Sequence, residues 1–149
     1  MSRPKYFSTQ IEIVKSFRHV RELLLKYDAD RMMMLEDFEH GQVGVEFVWR
    51  KQPIRFVIDT GKILEALEEM PGAGKAKRTM EHAGRVAMRL VLHYLENSFE
   101  LIEWRVMTPA QPFLPFLVLG RGVTVSDVLL DVTHEAIEFD KVKALTKGG

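Results

Sequence analysis

The chain has 149 residues, 46% of them hydrophobic and 28% charged, with 21 Lys+Arg balanced by 21 Asp+Glu. That length suits one domain with a real core, and the even balance excludes a uniformly basic nucleic-acid coat and a highly acidic mimic while leaving room for local patches. Cysteine is absent, which excludes disulfides, thiolate metal sites and thiol nucleophiles. The start Met1–Tyr6 has no apolar leader and the longest apolar run, Phe113–Leu119, is broken by Pro115, so a cytoplasmic protein with no membrane partner is expected.

Ile11 and Ile13 alternate with Gln10 and Glu12, which predicts a short strand. Ser16 is placed to cap a helix whose apolar face is Phe17, Val20, Leu23, Leu24 and Tyr27, ending near Asp28–Asp30. Three strands are predicted next, at 31–36, 42–49 and 53–59. Val43, Val45 and Phe47 share one face of the second, and Ile54, Phe56 and Ile58 one face of the third. The polar links Glu39–Gly41 and Arg50–Gln52 suit an antiparallel meander. A short helix, 63–70, leads into the loop Pro71–Gly74.

A long helix is predicted from about Lys75 to Trp104, with Met80, Ala83, Ala87, Leu90, Val91 and Tyr94 as its apolar face. Past Val86 the apolar stripe widens to Met88, Leu92, Leu95 and Phe99, which predicts cover on several sides, by the sheet and by a partner subunit. Pro109, Pro112 and Pro115 predict an extended segment over 108–121. Thr124 and Asp127 form a capping box for a last helix, 125–139, whose buried face is Val125, Val128, Leu129, Val132, Ala136 and Phe139. From about 141 the tail is basic and expected to fray. The sum is a single α+β domain over 1–149. It has a three- to four-stranded antiparallel meander packed against a long helix, with a short N-terminal helix and a C-terminal helix.

Two charge patterns stand out. Lys75, Arg78, His82, Arg85 and Arg89 recur at steps of three and four, nearly opposite the apolar face, with Lys77 near the start. Such a row is either a solvated helix face or a phosphate-binding stripe, since nucleic acid needs repeated cations along its backbone. Lys75, Lys77, Arg78, Arg85 and Arg89 are therefore the candidate nucleic-acid-binding residues. On the last helix Asp127, Asp131, His134 and Glu138 form an acidic row. His134 and Glu138 alone fall short of the three or four ligands a metal needs, so no metal or other cofactor is assigned.

No catalytic motif is present. Gly72–Lys75 lacks the spacing of a phosphate loop and of a dinucleotide fingerprint, no Gly-x-Ser-x-Gly elbow exists, and the carboxylate pairs Glu36–Asp37 and Glu68–Glu69 are adjacent rather than convergent. Ser8–Tyr27 with its Leu24-Leu25-Lys26-Tyr27 ending, Val45-Glu46-Phe47, Ile54-Arg55-Phe56, Arg85, Arg89, Phe113-Leu114-Pro115, Val118-Leu119, Gly122, Thr124-Val125 and Leu129 together resemble a family of small uncharacterised proteins encoded by bacteriophages and integrated mobile elements. That family tends to have glycine where this chain has Asp28. The resemblance implies a phage or prophage setting and no functional residues. A weaker, topological similarity is to double-stranded-RNA-binding domains. The helix–three strands–helix order carries it, with Gly72–Arg78 followed by Ala83 and Ala87 where that domain's basic second helix begins; the insertion 59–72 and Glu81 depart from it.

The leading expectation is a non-enzymatic phage or mobile-element accessory protein that binds nucleic acid through the basic stripe. The alternative is a protein-interaction module, a homodimer or an inhibitor of a host factor, motivated by the wide apolar stripe and the 113–119 run. An enzyme with a scattered site ranks third.

Overall fold

The computed structural model describes residues 4–129. The elements are α1 (Ile13–Lys26), β1 (Arg31–Asp37), β2 (Gln42–Trp49), β3 (Gln52–Asp59), α2 (Thr60–Glu69), a 3-10 turn (Lys75–Lys77) and α3 (Met80–Glu103). A final helix opens at Val125. The α+β class and the three-stranded antiparallel sheet, in the order β1-β2-β3, agree with the sequence reading. The remainder of the segment expected as the last helix, with Asp131, His134 and Glu138, and the basic tail lie outside the described residues.

Local chemistry sets the boundaries. The expected strand at 11–13 is absent, and α1 starts at Ile13 with Glu12 before it and no side-chain cap. Ser16 is therefore not a cap but a buried residue one turn inside the helix. The other end is a Schellman stop: the Asp28 N–H donates to Leu25 O at 3.2 Å and the Ala29 N–H to Leu24 O at 3.0 Å. Asp28 there has φ +62°, the left-handed conformation that favours glycine. Between β2 and β3, Arg50 and Lys51 both have positive φ and Trp49 pairs with Gln52, a two-residue hairpin turn of type I′ built without glycine. At the start of α3, Thr79 Oγ1 accepts from the His82 N–H at 3.1 Å. The capping box is present, with the Thr124 N–H donating to Asp127 and the Asp127 N–H to Thr124 Oγ1.

The period-two reading of the sheet holds. Val43, Val45, Phe47 and Ile54 are buried, and together with Phe56 and Ile58 they pack on α1 and α3. On the other face Glu46 lies directly across from Arg55 and takes its Nε–H at 2.9 Å. The segment 108–121, expected to be extended, instead runs through turns and a 3-10 turn at Leu114–Phe116. Proline at the first positions of a 3-10 turn loses no hydrogen bond, so prolines compatible with an extended chain also suit this one. Phe113 is buried there, Tyr94 Oη donates to the Pro112 carbonyl, and burial pushes the Tyr94 phenol above its ordinary pKa. α3 is covered within the chain, by the sheet, α1, α2 and Phe113, so its wide apolar stripe needs no partner subunit. Among the described residues no helix is long and apolar enough to cross a membrane.

At Gly44 the backbone of β3 leaves no room for a side chain on β2. A Cβ on it would lie 2.1 Å from Phe56 O and 2.6 Å from Val57 Cα, both backbone atoms. Gly44→Ala is expected to cost about 3 kcal/mol or more by forcing the strands apart, read from urea unfolding. Gly74→Ala, at an ordinary φ with nothing within 4 Å of the new methyl, is expected to be neutral or to stabilise by up to about 1 kcal/mol. Equal effects at the two sites would contradict this packing.

Candidate nucleic-acid interface

The five basic positions chosen from the sequence do not form one solvated row. Lys75 and Arg78 are exposed around the 3-10 turn before α3, and Lys77 places its ammonium 4.8 Å from the centre of the Phe7 ring. His82, in the middle of the row, is 1% exposed, with Nε2 2.8 Å from the Phe7 carbonyl oxygen. A carbonyl only accepts, so Nε2 carries the proton. Arg85 keeps 18% of its side-chain surface and meets Glu81 at 2.7 Å and Glu12 at 3.6 Å. Arg89 Nη1 lies 3.3 Å from His19 Nδ1, and its guanidinium carbon 5.8 Å from the Tyr6 ring centre.

The row was expected opposite the apolar face, facing water. From His82 to Arg89 it is instead a seam, covered by the N-terminal arm and by α1. A helical projection of α3 cannot show this, because residues 4–8 return from some 75 positions away in sequence. Long arginine stems also pack well against neighbours while their heads stay polar. Phe7 anchors the arm: its ring is buried with Leu67, Ala73 and Ala83. Two turns fold the arm, with the Phe7 N–H donating to Pro4 O and the Thr9 N–H to Tyr6 O. They hold Tyr6 at φ +71°, a conformation that costs an aromatic residue on the order of 1–3 kcal/mol and persists where its surroundings impose it.

Around Tyr6 the arm adds groups the projection missed. Lys5 Nζ is 5.3 Å from the Tyr6 ring centre and 3.5 Å from His93 Nδ1, and the His93 ring meets Tyr6 edge-on at 6.1 Å. Lys5, Arg89 and His93 thus lie around one aromatic ring, with His19 on Arg89, and among the described residues no carboxylate lies within ion-pair distance of any of the four. Guanidinium only donates, so His19 Nδ1 accepts from Arg89 and the ring proton sits on Nε2. The Nε atoms of Arg85 and Arg89 are buried without a partner, and so is Ser16 Oγ. Glu12, Ser16 and His19 share one face of α1, and the Glu12–Arg85 and His19–Arg89 contacts place that face against α3.

Other chemistry is sparse. Among the described residues no group of three or more His, Asp and Glu could hold a metal. A cavity of about 890 Å³ lies between the arm, β3, α2 and α3, over Phe7, Ile63, Leu67, Leu90 and Phe116. Its arginine, Arg55, is already committed to Glu46 and to the Gly122 carbonyl. Neither a family model, nor a curated protein, nor a solved structure matches the chain.

The His82–Phe7 hydrogen bond ties the arm to α3, and with it the Tyr6 cluster. His82→Ala is expected to destabilise the fold by about 2–3 kcal/mol, through a cavity and the loss of the Phe7 carbonyl's donor. It is also expected to speed tryptic cleavage after Lys5 before the core unfolds. Cleavage at the native rate would show that the arm is held by something else.

Proposed function

We propose that this chain is a non-enzymatic nucleic-acid-binding protein that grips the phosphate backbone where the N-terminal arm, α1 and α3 meet. On the resemblance carried by Phe113-Leu114-Pro115 and its flanks, we propose it as an accessory protein of a phage or mobile element. The observation that carries the binding reading is Arg89: a half-buried guanidinium with a histidine, a tyrosine ring and a buried, unpaired Nε, and no carboxylate in reach among the described residues. Holding a cation away from water without a counter-charge is costly, and an incoming phosphate offsets that cost.

The surroundings suit the same ligand. Lys5 and His19 supply further donors, and Tyr6 offers a ring beside them, the combination of cations and aromatics that tracks single strands. Lys75 and Arg78 continue the cationic face past the start of α3. From Arg78 to His93 the face is roughly 20 Å long at the α-helical rise. Arg85 contributes least, because Glu81 and Glu12 already neutralise it.

The test is binding of single- and double-stranded DNA and RNA across a salt series. Each phosphate contact contributes about 0.7–0.9 to the slope of log K against log salt. Arg89→Ala and Lys5→Ala are each expected to lower that slope by about one contact, with smaller losses for Lys75→Ala, Lys77→Ala and Arg78→Ala and the smallest for Arg85→Ala. No binding to any of the four at low salt, or binding indifferent to Arg89 and Lys5, would overturn the reading.

A further inference from the structure

β1 is an edge strand, and it is apolar where edge strands are usually blunted. Among the described residues its one sheet neighbour is β2. Its sequence is Arg31-Met32-Met33-Met34-Leu35-Glu36-Asp37, with Met33 52% and Met34 48% exposed. An open edge carrying exposed apolar side chains pairs readily with another strand.

The hydrogen-bond parity of the sheet shows which backbone groups are on offer. The Thr60 N–H donates to Gly41 O at 2.8 Å, so the β2 residues that bond β3 are the odd ones, 43, 45 and 47. The even ones, 42, 44, 46 and 48, then bond their β1 partners 37, 35, 33 and 31. The outward N–H and C=O groups of β1 are those of Met32, Met34 and Glu36. The third strand obeys the same rule, since the Pro53 carbonyl points outward and takes the Val118 N–H.

We propose that β1 pairs with β1 of a second copy of this chain, antiparallel, about a two-fold axis at Met34. The strand's charges argue for this occupant, because they are self-complementary. With Met34 facing its own copy, Arg31 falls opposite the other chain's Asp37 at both ends, on the same face of the sheet. Met33 falls opposite Leu35, and Met32, Met34 and Glu36 present their outward backbone groups to Glu36, Met34 and Met32. Sliding the pair by one step in either direction keeps the parity but loses the charge match. One slide sets Glu36 against Asp30, and the other sets Met33 against Asp37. Asp37 is held as an anion, because hydrogen bonds from the His40 amide and ring keep its carboxyl below its ordinary pKa. The result is one continuous six-stranded sheet. A strand pair of this length buries less than the ~800 Å² per partner of a standard interface, so the dimer is expected to be weak and concentration-dependent.

The absence of cysteine allows a direct test on the full chain. In a hydrogen-bonded antiparallel pair facing Cα atoms are about 5.5 Å apart, within disulfide range. Met34→Cys is expected to form a covalent dimer under mild oxidation, and Met33→Cys, whose partner is Leu35, to form several-fold less. By sedimentation velocity the unmodified chain is expected to move toward twice the monomer mass as concentration rises. Arg31→Asp and Asp37→Arg, each confirmed folded by circular dichroism, are expected to stay monomeric alone and to pair when mixed, because the mixture restores both ion pairs. No cross-link at Met34, equal cross-linking at Met33, or a mixture that stays monomeric would overturn the proposal.

Discussion

The fold hangs on one aromatic cluster that ties four separate stretches of chain together. Phe99 of α3 stacks on Tyr27, the residue after α1, at 4.2 Å between ring centres, and meets the edge of Trp49 from β2 at 5.2 Å. Phe113, from the proline-bearing segment, touches Phe99 at 5.3 Å, Trp49 at 5.5 Å and Phe47 at 5.9 Å. Trp49 Nε1–H donates to the Tyr27 carbonyl at 2.8 Å, so the polar atom of the largest ring is satisfied inside the cluster. Edge-to-face and offset pairs each add about 0.5–1.5 kcal/mol beyond the area they bury. Their larger effect here is geometric, because the C-terminal half of α3 is clamped to the sheet and to the end of α1.

Clamping one half of α3 decides what its other half can do. α1 and α3 run in the same direction, with Glu12 beside Arg85, His19 beside Arg89 and Tyr27 beside Phe99. They meet closely at the N-terminal end, where a Cβ on Gly84 would lie 2.8 Å from Ile13 Cδ1. Apolar packing fills the seam at the Tyr27 end, and polar groups fill it at the Arg85 end. The arm closes the polar end through Phe7, which sits in its own small apolar cluster away from the main core.

Much of this was legible in the sequence, for a physical reason: strands and helices write their buried faces into the spacing of apolar residues. Val43, Val45 and Phe47 alternate, and Ala83, Ala87 and Val91 repeat at helical steps, and all six are buried. What was illegible was set by contacts between residues far apart. Ser16 has the chemistry of a cap, yet the helix begins three residues earlier because Ile13 packs on the core. The basic row looked solvated because a projection of α3 contains neither the arm nor α1. The prolines of 108–121 marked an interruption and could not distinguish an extended strand from a 3-10 turn.

The comparison of Arg85 with Arg89 shows why residue type and spacing could not decide the candidate site. The two are one helical turn apart, both partly buried, and both have an unpartnered Nε. Arg85 has two carboxylates within 4 Å, while Arg89 has an imidazole and an aromatic ring. The first arginine is a strut whose charge is already used. The second keeps its field, because neither neighbour carries a negative charge, and partial burial strengthens that field by lowering the local dielectric response. A row of cations on a helix is therefore a statement about potential partners. The acids that the fold brings beside each member determine which of them remains free to meet an outside anion.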